Sequence, residues 1–148
     1  MDFDLNVILQ LLNKLREARE VLERHRTVDW SKFVADIEQQ YIVEHALFLA
    51  IQTMLDICTH VVSAAGAGVP TEYADMPRTL AGLKVIPAEL AERLAQAAGF
   101  RNRLIHNYRH VDLEIVHRAL QEDLEDLDQF DLYISRLITK LGEEESPQ

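Results

Sequence analysis

Apolar residues recur along this chain at intervals of three and four, the period of an amphipathic helix, and strand-like alternation is absent. Over residues 4–25 the stripe is Leu5, Ile8, Leu12, Leu15, Ala18 and Leu22, with Lys14, Arg16, Glu17, Glu20 and Glu23 mostly between. A second helix is predicted from Trp30 to Ala65, with Asp29 as its N-cap. Val34, Ile37, Tyr41, Phe48, Ile51, Leu55, Cys58 and Val62 keep a near-heptad rhythm there, with one beat missing at Glu44-His45. Its stretch Ala46–Leu55 is apolar on several faces, so this helix is expected at the centre of the fold or shared with a partner. Gly66-Ala67-Gly68-Val69-Pro70 breaks the pattern, and with Thr71–Arg78 it reads as a loop with room for a helical turn. Pro87 can open a short third helix striped by Leu90, Leu94 and Ala97, which Gly99 should stop. A last long helix is predicted over 112–141, buried through Leu113, Val116, Leu120, Leu124, Leu127, Ile134, Leu137 and Leu141. Gly142 ends it, and a frayed polar tail follows over 143–148. The expected fold is all-α, an antiparallel bundle in one domain spanning 1–142.

Composition narrows the function. The 148 residues hold 25 acids and 15 Lys plus Arg, a formal net charge of −10, so a broadly basic nucleic-acid coat is excluded. Apolar residues at 48% suffice for a packed core. No run of about 18 uncharged apolar residues occurs, so no membrane span or membrane partner is expected. The acidic start lacks the basic region of a secretory signal, and the single Cys58 forbids an intrachain disulfide, as suits a reducing cytoplasm. It also excludes cysteine-based zinc sites within one chain.

One segment departs from this acidity. Residues 93–111 contain Arg93, Arg101, Arg103 and Arg109 and no acid, a formal charge of +4, together with His106 and His110. The rest of the chain sets 11 basic against 25 acidic residues, or −14. Such an island can hold a phosphate while the remainder repels bulk nucleic acid. Arginine donates in a planar fork to phosphate oxygens, and histidine moves protons near neutral pH. Those two residue types can cleave RNA without metal or cofactor. A base takes the 2′-hydroxyl proton, a cation stabilises the charged phosphorane and an acid protonates the leaving 5′-oxygen. On one straight helix Arg101 and His106 would point about 140° apart, at roughly 100° per residue. Either the segment bends after Gly99 or the site is completed across a dimer.

The string Phe100-Arg101-Asn102-Arg103-Leu104-Ile105-His106-Asn107-Tyr108 resembles the HEPN superfamily, and within it the HepT-like ribonuclease toxins of toxin–antitoxin pairs. Their pattern is Arg, four residues, His, any residue, Tyr, usually with Asn after the Arg. Arg101, Asn102, His106 and Tyr108 meet it. Glu44–Cys58 resembles the family's second-helix stretch, and the likeness covers about residues 5–140. It implies an all-α HEPN-like bundle of four to five helices, a homodimer with both motifs in an interfacial cleft, and metal-independent endoribonuclease activity. It implies RNA as substrate and a minimal nucleotidyltransferase antitoxin as partner. That antitoxin would transfer AMP to Tyr108, placing a negative phosphodiester beside Arg101 and His106.

Each residue also has a plainer reading. Arg101, the expected phosphate clamp, could be an interface salt bridge, and either Arg101 or Arg103 could pair with acids of the last helix. His106, the expected acid/base, could be a satisfied interface histidine. Asn102 could cap rather than orient His106. Tyr108 could be a packed aromatic. Arg103 and Arg109 read as helpers rather than catalysts. Asp56 could hydrogen-bond in a dimer core, and Cys58 reads as a small core residue. His45 and His60 could be read as metal ligands, but the one partner at ligand spacing from either is Asp56, to His60, and one such pair is more often structural, so no metal is expected. The competing reading of the whole chain is a non-catalytic interaction or nucleotide-binding module that partners a nucleotidyltransferase.

Overall fold

Aspartates open four of the helices. In the computed structural model, which describes residues 3–106 and 110–145, the Asp4 carboxylate accepts backbone N–H groups of Asn6 and Val7 and starts α1 (Leu5–His25). Asp29 accepts from Lys32 at the start of α2 (Trp30–Ala35), and Asp36 from Gln39 at the start of α3 (Ile37–Ala64). α4 (Asp75–Gly82) and α5 (Ala88–His106) follow. Asp112 accepts from Glu114 to open α6 (Leu113–Glu122), and α7 (Leu124–Glu145) completes the bundle. Each cap satisfies backbone donors that the first helical turn leaves without partners. The described residues contain no strand.

The core is built on α3. Val43, Ala50, Met54, Ile57, Cys58 and Val62 are fully buried, and α3 packs against all six other helices. It is long and apolar enough to cross a membrane by composition, with a mean hydropathy of 1.5, but 61% of that window lies inside the bundle. Ile8, Leu12, Leu15, Ala18 and Leu22 of α1 bury the expected stripe against it. Across the outer seam Arg16 makes a two-pronged pair with Asp131 and Arg19 another with Asp128, tying α1 to α7.

Five boundaries differ from the sequence expectation. The helix expected over 30–65 is two, because Asp36 leaves helical geometry (φ −116°, ψ 94°) and its side chain caps a new helix. Gln40 Nε2 donates back to the Phe33 and Val34 carbonyls, satisfying the end of α2. Phe33 is thereby turned into the core, while Val34, Ile37 and Tyr41 stand 45%, 58% and 64% exposed. The segment expected as loop forms α4, since Met76, Pro77 and Leu80 find a buried seat. Gly99 does not stop its helix. A glycine stop works through the left-handed conformation, whereas Gly99 stays helical and α5 continues while Phe100 and Leu104 pack on the core. The last helix breaks at Asp123, where the Arg26 guanidinium reaches the Gln121 carbonyl at 3.5 Å. Gly142 is likewise passed through, to Glu145.

The glycine that does end a helix is Gly66, at φ +73°, with Ala67 N–H bonded back to the Val62 carbonyl. These two roles separate by substitution. A Cβ at Gly99 meets open space, so Gly99→Ala should stabilise the fold by about 0.5–1 kcal/mol in urea melts. Gly66→Ala should destabilise it by about 1 kcal/mol or more. Loss of stability in Gly99→Ala would place the helix end where the sequence pattern put it.

Candidate active site

Glu44, Phe48, Gln52 and Asp56 lie four apart on α3 and so share one face, and none of them is fully buried. The C-terminal part of α5 meets that face. Arg101 Nε donates to Gln52 Oε1 at 2.7 Å, and Gln52 Nε2 donates to Asp56 Oδ1 at 2.8 Å. Each bond fixes one end of the Gln52 amide, so the carboxylate of Asp56 holds the amide oxygen toward the guanidinium. Arg101 Nη1 donates to Asn102 Oδ1 at 2.7 Å. The guanidinium carbon lies 4.6 Å from the centroid of the Tyr73 ring and 5.9 Å from that of Phe48.

The partners of Arg101 set it apart. Arg16, Arg19, Arg78 and Arg93 all hydrogen-bond carboxylates. Arg101 has no ion pair among the described residues, and its acceptors are two neutral amides. Its full positive charge therefore stays available to an anion, with its orientation already set.

The expected site residues separate into three places. Arg101 and Asn102 adjoin Gln52. His106 is the last residue of α5, exposed, and its side chain makes no hydrogen bond or ion pair among the described residues. The bend that would have brought it around to Arg101 is absent, because α5 is continuous from Ala88 to His106. Arg103 faces elsewhere, lining a cavity of about 330 Å³ with Phe100, Arg93 and Arg118. Tyr108 and Arg109 lie outside the described residues. Among the described arginines of the basic segment 93–111, the one that pairs with the last helix is Arg93, through Asp126 at 2.7 Å, rather than Arg101 or Arg103. Cys58 is a core thiol whose pKa burial pushes up, with its sulfur against Met54. Asp56 turns to Gln52, while His60 buries its Nε2 with no hydrogen-bond partner. Among the described residues no three His, Cys, Asp or Glu side chains gather as a metal site would need.

Tyr41, Glu44, His45, Phe48, Leu104 and Ile105 line a cavity of about 280 Å³ beside the site, and burial raises the Glu44 carboxyl above its ordinary pKa. Gln52 and Tyr73 were missed in the sequence. The four-residue spacing from Glu44 to Asp56 marks a polar edge on an apolar helix and could have shown Gln52. Nothing periodic marks Tyr73.

A family model described as "Ribonuclease HepT-like" matches residues 9–134. The mRNA nuclease HepT of Shewanella oneidensis is 30% identical over 122 residues, 81% of this chain and 92% of that protein. The tRNA nuclease HepT of Aphanizomenon flos-aquae is 28% identical over 116 residues, 78% of this chain and 77% of that one. Among solved structures, the tri-AMPylated Shewanella oneidensis HEPN toxin in complex with MNT antitoxin superposes with a TM-score of 0.80 at 26% identity, over 92% of this chain and 99% of that one. A toxin–antitoxin complex with AMP-PNP gives 0.81 at 25% identity, over 88% and 98%.

The raised Glu44 carboxyl has a stability consequence. A carboxyl that binds its proton more tightly when folded weakens the fold above its pKa and ceases to do so as the pH falls through it. Glu44→Gln should therefore shift the urea midpoint upward at pH 7.5, and the gain should vanish near pH 4. A gain that persists in acid would mean that something other than the charge is relieved.

Proposed function

The chain belongs to the Ribonuclease HepT-like family, and on that premise we propose that it is the toxin of a toxin–antitoxin pair, a metal-independent endoribonuclease acting through Arg101 and His106. The observation that carries this reading is the setting of Arg101: in a protein of net charge −10, this guanidinium is oriented, among the described residues, by neutral acceptors. It is poised for a phosphodiester. His106 takes the 2′-hydroxyl proton, the 2′-oxygen attacks phosphorus, Arg101 stabilises the phosphorane, and the 5′-oxygen leaves protonated. The products are a 2′,3′-cyclic phosphate and a 5′-hydroxyl. Asn102 steadies Arg101, and Arg103 supports binding from the neighbouring cavity.

Because Arg101 and His106 diverge on a continuous α5, the active form in this reading is a homodimer. Exposed apolar side chains beside the site favour it: Tyr41 and Ile105 are 64% and 37% exposed. A second copy seated there brings two Arg101 and two His106 to one cleft, so base and acid can be separate imidazoles. The partner is a minimal nucleotidyltransferase antitoxin. It silences the toxin by moving AMP from ATP to the Tyr108 oxygen with release of pyrophosphate, and the new phosphodiester competes with RNA for the same cations. The related toxin solved in its tri-AMPylated form with an MNT antitoxin supports this reading.

Cleavage of total tRNA and of an RNA oligomer in EDTA tests it. Arg101→Ala and His106→Ala should each lower the rate by about 100-fold or more while leaving the dimer intact by light scattering. Undiminished cleavage by both variants would sink the assignment. Absent cleavage by an unmodified wild-type protein, checked by intact mass for AMP on Tyr108, would leave a binding module.

A further inference from the structure

Three elements converge on one guanidinium, and the least expected is the segment between α3 and α4. Tyr73 stands there 40% exposed, with Arg101 Cζ 4.6 Å from its ring centroid. That is within the range in which a cation is attracted by the electron-rich face of an aromatic ring. Its backbone is anchored: the Tyr73 carbonyl accepts the Met76 N–H at 3.1 Å, in the turn that leads into α4. Met76 is buried, with its sulfur 3.6 Å from Thr59 Oγ1 of α3. Arg78 of α4 makes a two-pronged pair with Glu92 of α5, at 2.9 and 3.1 Å. Tyr73 is thus fixed relative to both helices that carry the rest of the site.

We infer that Tyr73 is a positioning residue for Arg101, and that the segment leading into α4 is a wall of the active site. The inference rests on the nuclease reading above and adds a residue to it. Gln52 and Asn102 hold the guanidinium by atoms in its plane, Nε and Nη1. In-plane bonds leave the plane free to rock about them. An aromatic face removes that freedom, and it does so without an acceptor that would draw off the charge needed by the phosphate. Nη2, which donates to none of the described residues, is then presented to the substrate in a fixed direction.

The test uses the full-length protein with Tyr73→Leu and Tyr73→Phe. Leucine fills similar space without the quadrupole, whereas phenylalanine keeps the ring face. The ring is partly exposed and outside the core, so neither change should unfold the chain, and urea melts check this. Two readouts apply: kcat and KM for an RNA oligomer in EDTA, and binding of the same oligomer carrying 2′-O-methyl groups, which cannot be cleaved. Tyr73→Leu should lower kcat/KM and weaken 2′-O-methyl RNA binding by roughly 3- to 30-fold, the span of a partly desolvated cation–ring contact. Tyr73→Phe should restore most of both. In an Arg101→Gln background, Tyr73→Leu should change binding no further. Wild-type values in Tyr73→Leu would overturn the inference. So would an equal loss in Tyr73→Phe, or an undiminished effect in the Arg101→Gln background. If wild-type protein binds 2′-O-methyl RNA yet cleaves none, the nuclease reading fails, while the binding comparison still decides the part of Tyr73.

Discussion

A helix that is apolar almost all round can carry polar side chains only where it emerges from the bundle, and that constraint places the site. α3 is enclosed by the other helices along most of its surface, so Glu44, Gln52 and Asp56 must lie on the strip that those helices leave uncovered. The end of α5 borders the same strip, and Arg101 meets Gln52 there. The position of the candidate centre thus follows from the packing of the core. A surface loop is recruited only afterwards, through Tyr73.

Charge is organised in the same economical way. Acids outnumber bases, and Arg16, Arg19, Arg78 and Arg93 are absorbed into pairs that tie neighbouring helices: α1 to α7, α4 to α5, α5 to α7. Exposed pairs of this kind add little stability individually. Their larger effect is to neutralise those arginines, while Arg101 near the end of α5 makes no ion pair among the described residues. A polyanion approaching this surface is repelled broadly and attracted locally, which favours one mode of docking over many.

How much of this could be read from the sequence depended on whether a residue's role is local. The stripe of α1 was legible because an amphipathic helix on one side of a core has a single solution, and Ile8 through Leu22 are buried as predicted. The Arg101–His106 spacing was legible as a motif. The near-heptad start of the second helix misled, since Val34, Ile37 and Tyr41 keep the rhythm yet face outward. Their apolar character belongs to a surface. Gly99 and Gly142 misled for another reason: glycine permits a helix end without requiring one, and beyond Gly99 the apolar Phe100 and Leu104 find contacts that extend the helix. Gln52 stood one step from recognition, on a visible four-residue spacing. Tyr73 meets Arg101 only through the fold of the intervening chain, which no local pattern encodes.

Asp36 closes α2 with its backbone N–H, which donates to the Phe33 carbonyl, and opens α3 with its carboxylate. Without that joint, residues 30–64 would form a single rod about 52 Å long at roughly 1.5 Å per residue, against about 42 Å for α3 alone. The joint instead folds the first six residues back, so that Trp30 and Phe33 close on the ring of His117 in α6, at 5.5 and 5.4 Å. His117 Nε2 donates to the Val28 carbonyl just upstream. One aspartate therefore acts as a ruler: it shortens the longest rod and makes a lid of the offcut.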